Sequence, residues 1–200
     1  LDGALHITER ATGEETQLRS GLPGAHNASN LLLAFAAARR AGLPAGALAQ
    51  SLSGLALPKM RWEVTVRDGV TWVNDAYNAN PQSMAAALKT FAGLPCRGRR
   101  IVVLGDMLEL GGHAGALHRE VGRCVAQTAP DGLLAVGRDA TRHLAEEAVR
   151  AGFPRAKVAC ADDARAAGAV LREWVRSGDS VLLKASRGMR LEGIVEHEPV

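Results

Sequence analysis

The sequence predicts an α/β fold: a mainly parallel sheet with helices on both faces. Three observations predict it. Short apolar runs such as Ile101–Leu104, Leu133–Val136 and Val181–Leu183 have the character of strands buried on both faces. Helix-compatible segments separate them, and strand–helix alternation at this spacing implies right-handed crossovers. The chain has 200 residues, 47% hydrophobic and 22% charged, which is the range of a soluble globular protein with a sizeable core.

The elements follow in order. Residues 1–20 alternate weakly around the polar turn Thr12-Gly13 and read as strand ends. Gly21–Gly24 is a turn cluster, and His26-Asn27-Ala-Ser-Asn30 opens a Leu/Ala-rich helix that runs to Ala41 before Gly42, with Asn27 as its expected cap. A second helix spans Pro44 to Leu52, with Pro at its start and Gly54 beyond its end. Gly54–Lys59 reads as a linker. Trp62–Arg67 then alternates with period two, Asp68-Gly69 suits a tight type I′ turn, and Val70–Val73 returns as the partner strand. Further on come a helix from Pro81 to Leu94, a strand from Arg100 to Leu104, a helix from Gly115 to Gln127 and a strand from Gly132 to Val136. A helix from Ala140 to Ala151, a weak strand from Lys157 to Cys160 and a helix from Asp162 to Arg176 follow, with Asp162 or Asp163 as its cap. Ser180–Lys184 is the last strand, and Met189–Glu196 the last helix.

Several function classes drop out. The formal net charge of +3 is spread over the chain, with no block of like charge, and aromatics are 4%, so no nucleic-acid surface is expected. The longest apolar stretch, Leu31 to Ala38, is far short of the ~20 residues of a membrane span. Cys96, Cys124 and Cys160 form no C-x-x-C pair and read as free thiols of a reducing cytoplasm. His113 and His118, five apart, lack a third ligand at metal-binding spacing, so no metal site is assigned. No Gly-Lys pair occurs, so the phosphate loop of an ATP-using enzyme is absent from this chain.

In a parallel α/β sheet, ligands bind beyond the carboxyl ends of the strands. Three such ends here carry polar or charged groups: Asn74-Asp75-Ala-Tyr77-Asn78-Ala-Asn80, Gly105-Asp106-Met-Leu-Glu109, and Lys184-Ala-Ser186-Arg187. The opposite loops, such as Ala129-Pro130-Asp131, look plain. Asn27 and Asn30 share a face of the first helix, and an amide matches an adenine edge. Arg61 can clamp a phosphate, and Asp75 can accept from ribose hydroxyls. Lys184, Ser186 and Arg187 suit an anionic group. Each of these residues alone has a plain structural reading as a cap, a turn or a solvated charge.

Their order is more specific. Gly24-Ala-His26-Asn27-Ala-Ser-Asn30, Asp75-Ala-Tyr77-Asn78-Ala-Asn80-Pro81, Leu104-Gly105-Asp106-Met107-Leu-Glu109-Leu-Gly111, His118-x-x-x-Gly122 and Leu183-Lys184-Ala-Ser186-Arg187 together resemble the Mur ligase family. The resemblance implies a Rossmann-like C-terminal domain over residues 56–200, preceded at 1–55 by the end of the family's central ATPase domain. It implies that the P-loop, the UDP-binding domain and the Mg2+ ligands lie upstream, so that this chain has no catalytic residue of its own and is inactive alone. It also implies an ATP- and Mg2+-dependent ligase joining D-alanyl-D-alanine to UDP-N-acetylmuramoyl-tripeptide through an acyl phosphate, in a cytoplasmic monomer. Nucleotide-binding residues then fall on Asn27, Asn30, Arg61 and Asp75, and substrate-binding residues on Asn78, Asn80, Asp106, Lys184, Ser186 and Arg187. A ligase related to folylpolyglutamate synthase or cyanophycin synthetase, and a non-catalytic α/β binding domain, are the rival readings. Two positions depart from the family pattern. Ala185 stands where Gly is usual, which would strain a positive φ, and Met60 stands where Gly precedes the arginine, which would stiffen a hinge.

Overall fold

The computed structural model describes residues 3–55 and 58–196. Contacts divide the chain into two compact units, Leu1–Leu57 and Pro58–Val200.

In the first unit, strands β1 (Gly3–Thr8) and β2 (Glu15–Ser20) form an antiparallel hairpin. Two helices follow, α1 (Ala25–Arg40) and α2 (Ala45–Ser53). Ile7, Leu18, Leu31, Phe35, Ala45 and Leu48 make a small core between them. The α1 helix begins one turn earlier than expected. Gly24, at φ 92, is its N-cap, and no side chain caps it. Asn27 is therefore inside the first turn, where its Nδ2 donates to the Pro23 carbonyl at 2.7 Å. Likewise Pro44 caps α2 instead of opening it, because its ψ of 140° is still extended.

The second unit is a six-stranded sheet. Its strands are β3 (Glu63–Arg67), β4 (Val70–Asn74), β5 (Arg100–Gly105), β6 (Gly132–Val136), β7 (Val158–Ala161) and β8 (Ser180–Lys184), in spatial order β3-β4-β8-β5-β6-β7. Only β3 runs antiparallel, joined to β4 by Asp68 (φ 50) and Gly69 (φ 76), the left-handed pair a type I′ turn requires. Helices α3 (Pro81–Ala92), α4 (Ala114–Thr128) and α5 (Glu146–Arg150) connect β4 through β7, with α3 packed on α4 and α4 on α5. From β7 the chain reverses direction, through α6 (Ala164–Trp174), to insert β8 between β4 and β5. A right-handed crossover that reverses direction must cross the other face of the sheet. Accordingly α6 and the terminal α7 (Gly193–Glu196) pack together with Trp72, Ile101, Val103, Leu134, Val181 and Leu183. The alternate residues Val102, Leu104, Leu133 and Leu182 are also fully buried, so the strands are apolar on both faces.

Helix ends differ from expectation where backbone geometry intervenes. Residues 140–145 form a π-helical turn ahead of α5. A Cβ on Gly122 would lie 2.4 Å from the Leu144 carbonyl oxygen, so α4 and this turn approach as closely as backbones can. The last helix starts at Gly193 instead of Met189, because Arg190 adopts φ 51 and interrupts it. Asp163, not Asp162, caps α6, accepting from Ala166 N at 2.8 Å.

Both departures from the family pattern are resolved by backbone angle. Ala185 does not have positive φ. It is fully buried, and a Cβ on Gly105 would lie 2.7 Å from its Cβ, so glycine at 105 makes room for alanine at 185. Met60 is the strained position, at φ 62. A non-glycine residue held there costs about 1 kcal/mol. Met60→Gly is therefore expected to raise stability by about 0.5 kcal/mol after its larger unfolded-state entropy, and Met60→Val to lower it by about 1–2 kcal/mol. Urea unfolding followed by tryptophan fluorescence checks this, since Trp62, Trp72 and Trp174 all lie in the second unit. Equal stabilities for the two variants would contradict it.

Candidate functional site

Inserting β8 between β4 and β5 puts three polar strand ends side by side, with Asn74 opposite Leu183 and Leu104 opposite Lys184 in the ladders. The rim they form is built from interlocking loops.

Lys184 is the centre of one lock. It is 3% exposed, and its ammonium donates to Asp75 Oδ2 at 2.6 Å and to the Asn78 carbonyl at 3.2 Å. Asp75 Oδ1 accepts from Trp62 N at 3.2 Å. Tyr77 N donates to the Met60 carbonyl at 3.1 Å. The segment before β3 is thus tied to the loop after β4. Arg61 lies in that segment between two left-handed residues, Met60 and Trp62 (φ 55), and its guanidinium stacks over Tyr77, 4.5 Å from the ring centroid. Strain concentrated around one exposed arginine is typical of a functional segment.

Asn80 caps α3. Its Oδ1 accepts from Ser83 N at 2.8 Å, and Ser83 Oγ accepts from Asn80 N at 3.0 Å, a reciprocal capping box with Pro81 next. Asn78 is exposed, its Oδ1 accepting from Ala79 N at 2.8 Å.

A second lock fixes the loop after β5. Asp106 accepts from Arg138 N at 3.1 Å and Ala140 N at 2.6 Å, so its carboxylate holds the start of the helical segment after β6. Gly137, at φ 99, faces it with no room for a Cβ. Ser186 Oγ accepts from Leu108 N at 2.9 Å, and Ser186 N donates to the Asp106 carbonyl at 3.1 Å. Arg187 pairs with Glu192.

His118, which opens the motif His118-x-x-x-Gly122 but has no site role expected from the sequence, completes this lock. It is fully buried. Its Nδ1 donates to the Ala114 carbonyl at 2.8 Å, and its Nε2 accepts from Met107 N at 3.0 Å, which defines a neutral ring with the proton on Nδ1. The sequence did carry a signal, since His118 shares the apolar stripe of α4 with Val121, Gly122 and Val125.

The opposite rim is not plain, contrary to expectation. Asp131 Oδ2 accepts from Arg100 N at 2.9 Å. Asp179, 2% exposed, accepts from Arg99 N, the Arg99 guanidinium and Arg176 N at 2.8, 2.7 and 2.9 Å. Burial alone would raise the Asp179 pKa. The Arg99 side chain and the two backbone donors outweigh burial and hold it below the ordinary aspartate value.

The structure thus brings Asp75, Asn78 and Lys184 into one network and Asp106 and Ser186 into another. Arg61, Asn80 and Arg187 lie on the same loops. Asn27 and Asn30 lie in α1 of the first unit. The residues of the second unit fit a nucleotide in part: Asp75 retains acceptor capacity beyond the donors Trp62 N and Lys184 Nζ, and the Arg61 guanidinium is exposed. Among the described residues no group of three or more His, Cys, Asp or Glu is placed to hold a metal ion. Nor, among the described residues, is any helix long and apolar enough to cross a membrane.

A mostly parallel sheet of this order, helix-covered on both faces and polar at its strand ends, defines a doubly wound α/β domain. The chain belongs to the Mur ligase family: residues 60–187 match the family described as Mur ligase, glutamate ligase domain. Its relatives include the UDP-N-acetylmuramoyl-tripeptide–D-alanyl-D-alanine ligase of Bacillus subtilis, 37% identical over 174 residues covering 86% of this chain and 38% of the relative. The enzyme of the same name from Escherichia coli is 34% identical over 142 residues, 67% of this chain and 31% of the relative. The crystal structure of MurF from Acinetobacter baumannii shares the fold, with a TM-score of 0.84 at 24% identity over 98% of this chain and 41% of that one. The MurF ligase of Thermotoga maritima in complex with ADP gives 0.76 at 24% identity over 98% of this chain and 43% of that one. The chain therefore spans about two fifths of the length of these proteins.

Proposed function

We propose that this chain supplies part of an ATP-dependent ligase that adds D-alanyl-D-alanine to UDP-N-acetylmuramoyl-tripeptide in cytoplasmic peptidoglycan precursor synthesis. The observation that carries the proposal is the rim after β4, β8 and β5, where the Asp75–Lys184 network and the Asp106–Ser186 lock occupy the family's motifs on adjacent strands. The name shared by relatives at 34–37% identity supports the choice of amine substrate.

In this reading residues 1–55 are the end of the central domain and 56–200 the C-terminal domain of a monomer. Asn27 or Asn30 contacts adenine, Arg61 a phosphate, and Asp75 the ribose. Asn78, Asn80, Lys184 and Arg187 shape the amine side, while Asp106 and Ser186 act by holding the loop after β5. The P-loop and the Mg2+ ligands belong to a part of the protein other than this sequence. A tripeptide carboxylate oxygen attacks the γ-phosphorus of ATP, giving an acyl phosphate and releasing ADP. The dipeptide amine attacks the acyl carbon, and phosphate leaves as the amide forms. The reacting groups are anionic, so the work of the site is to align them and offset their charge.

The test is phosphate release by the complete protein with ATP, Mg2+ and UDP-N-acetylmuramoyl-tripeptide, offering D-alanyl-D-alanine, D-glutamate, L-glutamate or diaminopimelate as the amine. Turnover is expected with D-alanyl-D-alanine only. Asp75→Asn is expected to raise the KM for ATP about tenfold, the loss of one charge-assisted hydrogen bond. Turnover with another amine, and none with the dipeptide, would overturn the reading.

A further inference from the structure

A cavity of about 580 Å³ lies on the α6–α7 side of the second unit. Its volume is that of a small-molecule site. One wall is α6, with Arg165 and Arg172, and the other is the segment from Arg190 to Ile194. Arg165 and Arg172 are seven residues apart, two helical turns and about 10 Å along one face. Arg190 comes from the facing wall, where φ 51 breaks the helix.

Two features set this cavity apart from an ordinary surface cleft. All three guanidiniums are exposed, and among the described residues none is paired with a carboxylate or a carbonyl. Several other arginines in this unit are closed on carboxylates: Arg99 on Asp179, Arg123 on Glu147, Arg187 on Glu192. The second feature is Gly168, in the middle of α6 between the two arginines. Its φ is not positive, and a Cβ there would meet nothing nearer than Arg172 Nη1 at 3.7 Å. Neither backbone angle nor packing requires glycine, although glycine inside a helix is unfavourable against alanine. What its missing side chain leaves is space between the arginines. Among the described residues Glu192 is the one acid of the lining. Its Oε1 is taken by Arg187, and its Oε2 is buried without a partner, so the wall also favours a ligand that brings a hydrogen-bond donor.

We propose that this cavity is a binding site for a small polyanion, two or more phosphate or carboxylate groups on one molecule, gripped by Arg165, Arg172 and Arg190. Guanidinium forks match both anions in geometry and charge. The three arginines that grip the ligand have no part in the ligase reading, and the cavity touches that reading only where Glu192 pairs with Arg187.

The experiment titrates the full 200-residue chain with pyrophosphate and, separately, with citrate, following the backbone amide resonances of Gly168 and Gly193. Saturable shifts at these two glycines are expected with at least one probe. Response to pyrophosphate alone assigns phosphate chemistry, and response to citrate alone assigns carboxylate chemistry. The double variant Arg165→Gln/Arg172→Gln should weaken binding about tenfold or more, the affinity should fall with added salt, and Arg61→Gln should leave it unchanged. Gly168→Met should block binding while keeping or raising the melting temperature, which separates a filled site from a damaged fold. Absence of saturable shifts with both probes would overturn the proposal, as would undiminished binding by the double variant.

Discussion

Lys184→Met is expected to cost the second unit about 2–3 kcal/mol and to uncouple the loop after β4. Methionine keeps the buried stem but removes the ammonium, leaving the Asp75 carboxylate and the Asn78 carbonyl without their shared donor. Breaking a buried ion pair by removing one partner costs about 3–5 kcal/mol, and the estimate is reduced because the Asp75 side chain is 20% exposed and water can solvate it. Lys184→Arg should not restore stability, since a planar guanidinium does not fit where a compact ammonium is enclosed by three acceptor oxygens of Asp75 and Asn78. A double-mutant cycle with Asp75→Asn should show coupling of about 1–2 kcal/mol. In the ligase reading the same substitution releases Asp75 from its fixed position and raises the KM for ATP. Urea denaturation by tryptophan fluorescence provides the stability values. A cost below about 0.5 kcal/mol for Lys184→Met would show that the pair contributes nothing net.

Asp179→Ala should destabilise the same unit by about 3 kcal/mol, by stranding the Arg99 and Arg176 backbone donors that its carboxylate accepts from. The wild-type contribution also depends on pH. Because the folded-state pKa lies below the ordinary aspartate value, the unfolded state binds the proton more readily. The stabilisation is therefore fully present above the unfolded pKa of about 4 and is lost as pH falls through the lower folded value. Wild-type stability is expected to drop steeply below about pH 4, and that of Asp179→Ala less steeply. Identical acid limbs for the two proteins would refute this role. Both predictions concern the ends of β8, one at each rim of the sheet.

These two residues show how unevenly the molecule could be read in advance. Ser180–Lys184 and Gly132–Val136 are bounded as the sequence indicates, because three or four apolar residues in a row between polar turns admit few other conformations. Asp68-Gly69 likewise fixes its turn through local backbone preference. The first turn of α1 was misread because Asn27 is a good cap in isolation, whereas Gly24 at positive φ starts the helix earlier. The break at Arg190 and the π turn at 140–145 carry no local signal at all, since nothing in those residue types disfavours an ordinary helix. The candidate site divides in the same way. That Asp75, Asp106 and Lys184 stand at strand ends was legible, but Asp106 turned out to be occupied with backbone amides, and His118 was passed over because a buried histidine and a metal ligand look alike in sequence.

What the sequence alone determined is local: which segments are strands, where glycine and proline end them, and which strand ends bear charge. Only the tertiary structure decided which ends are neighbours. Lys184 meets Asp75 across 109 residues because β8 returns to pair between β4 and β5, and that choice rests on burying two apolar faces against helices, not on any property of the residues that meet.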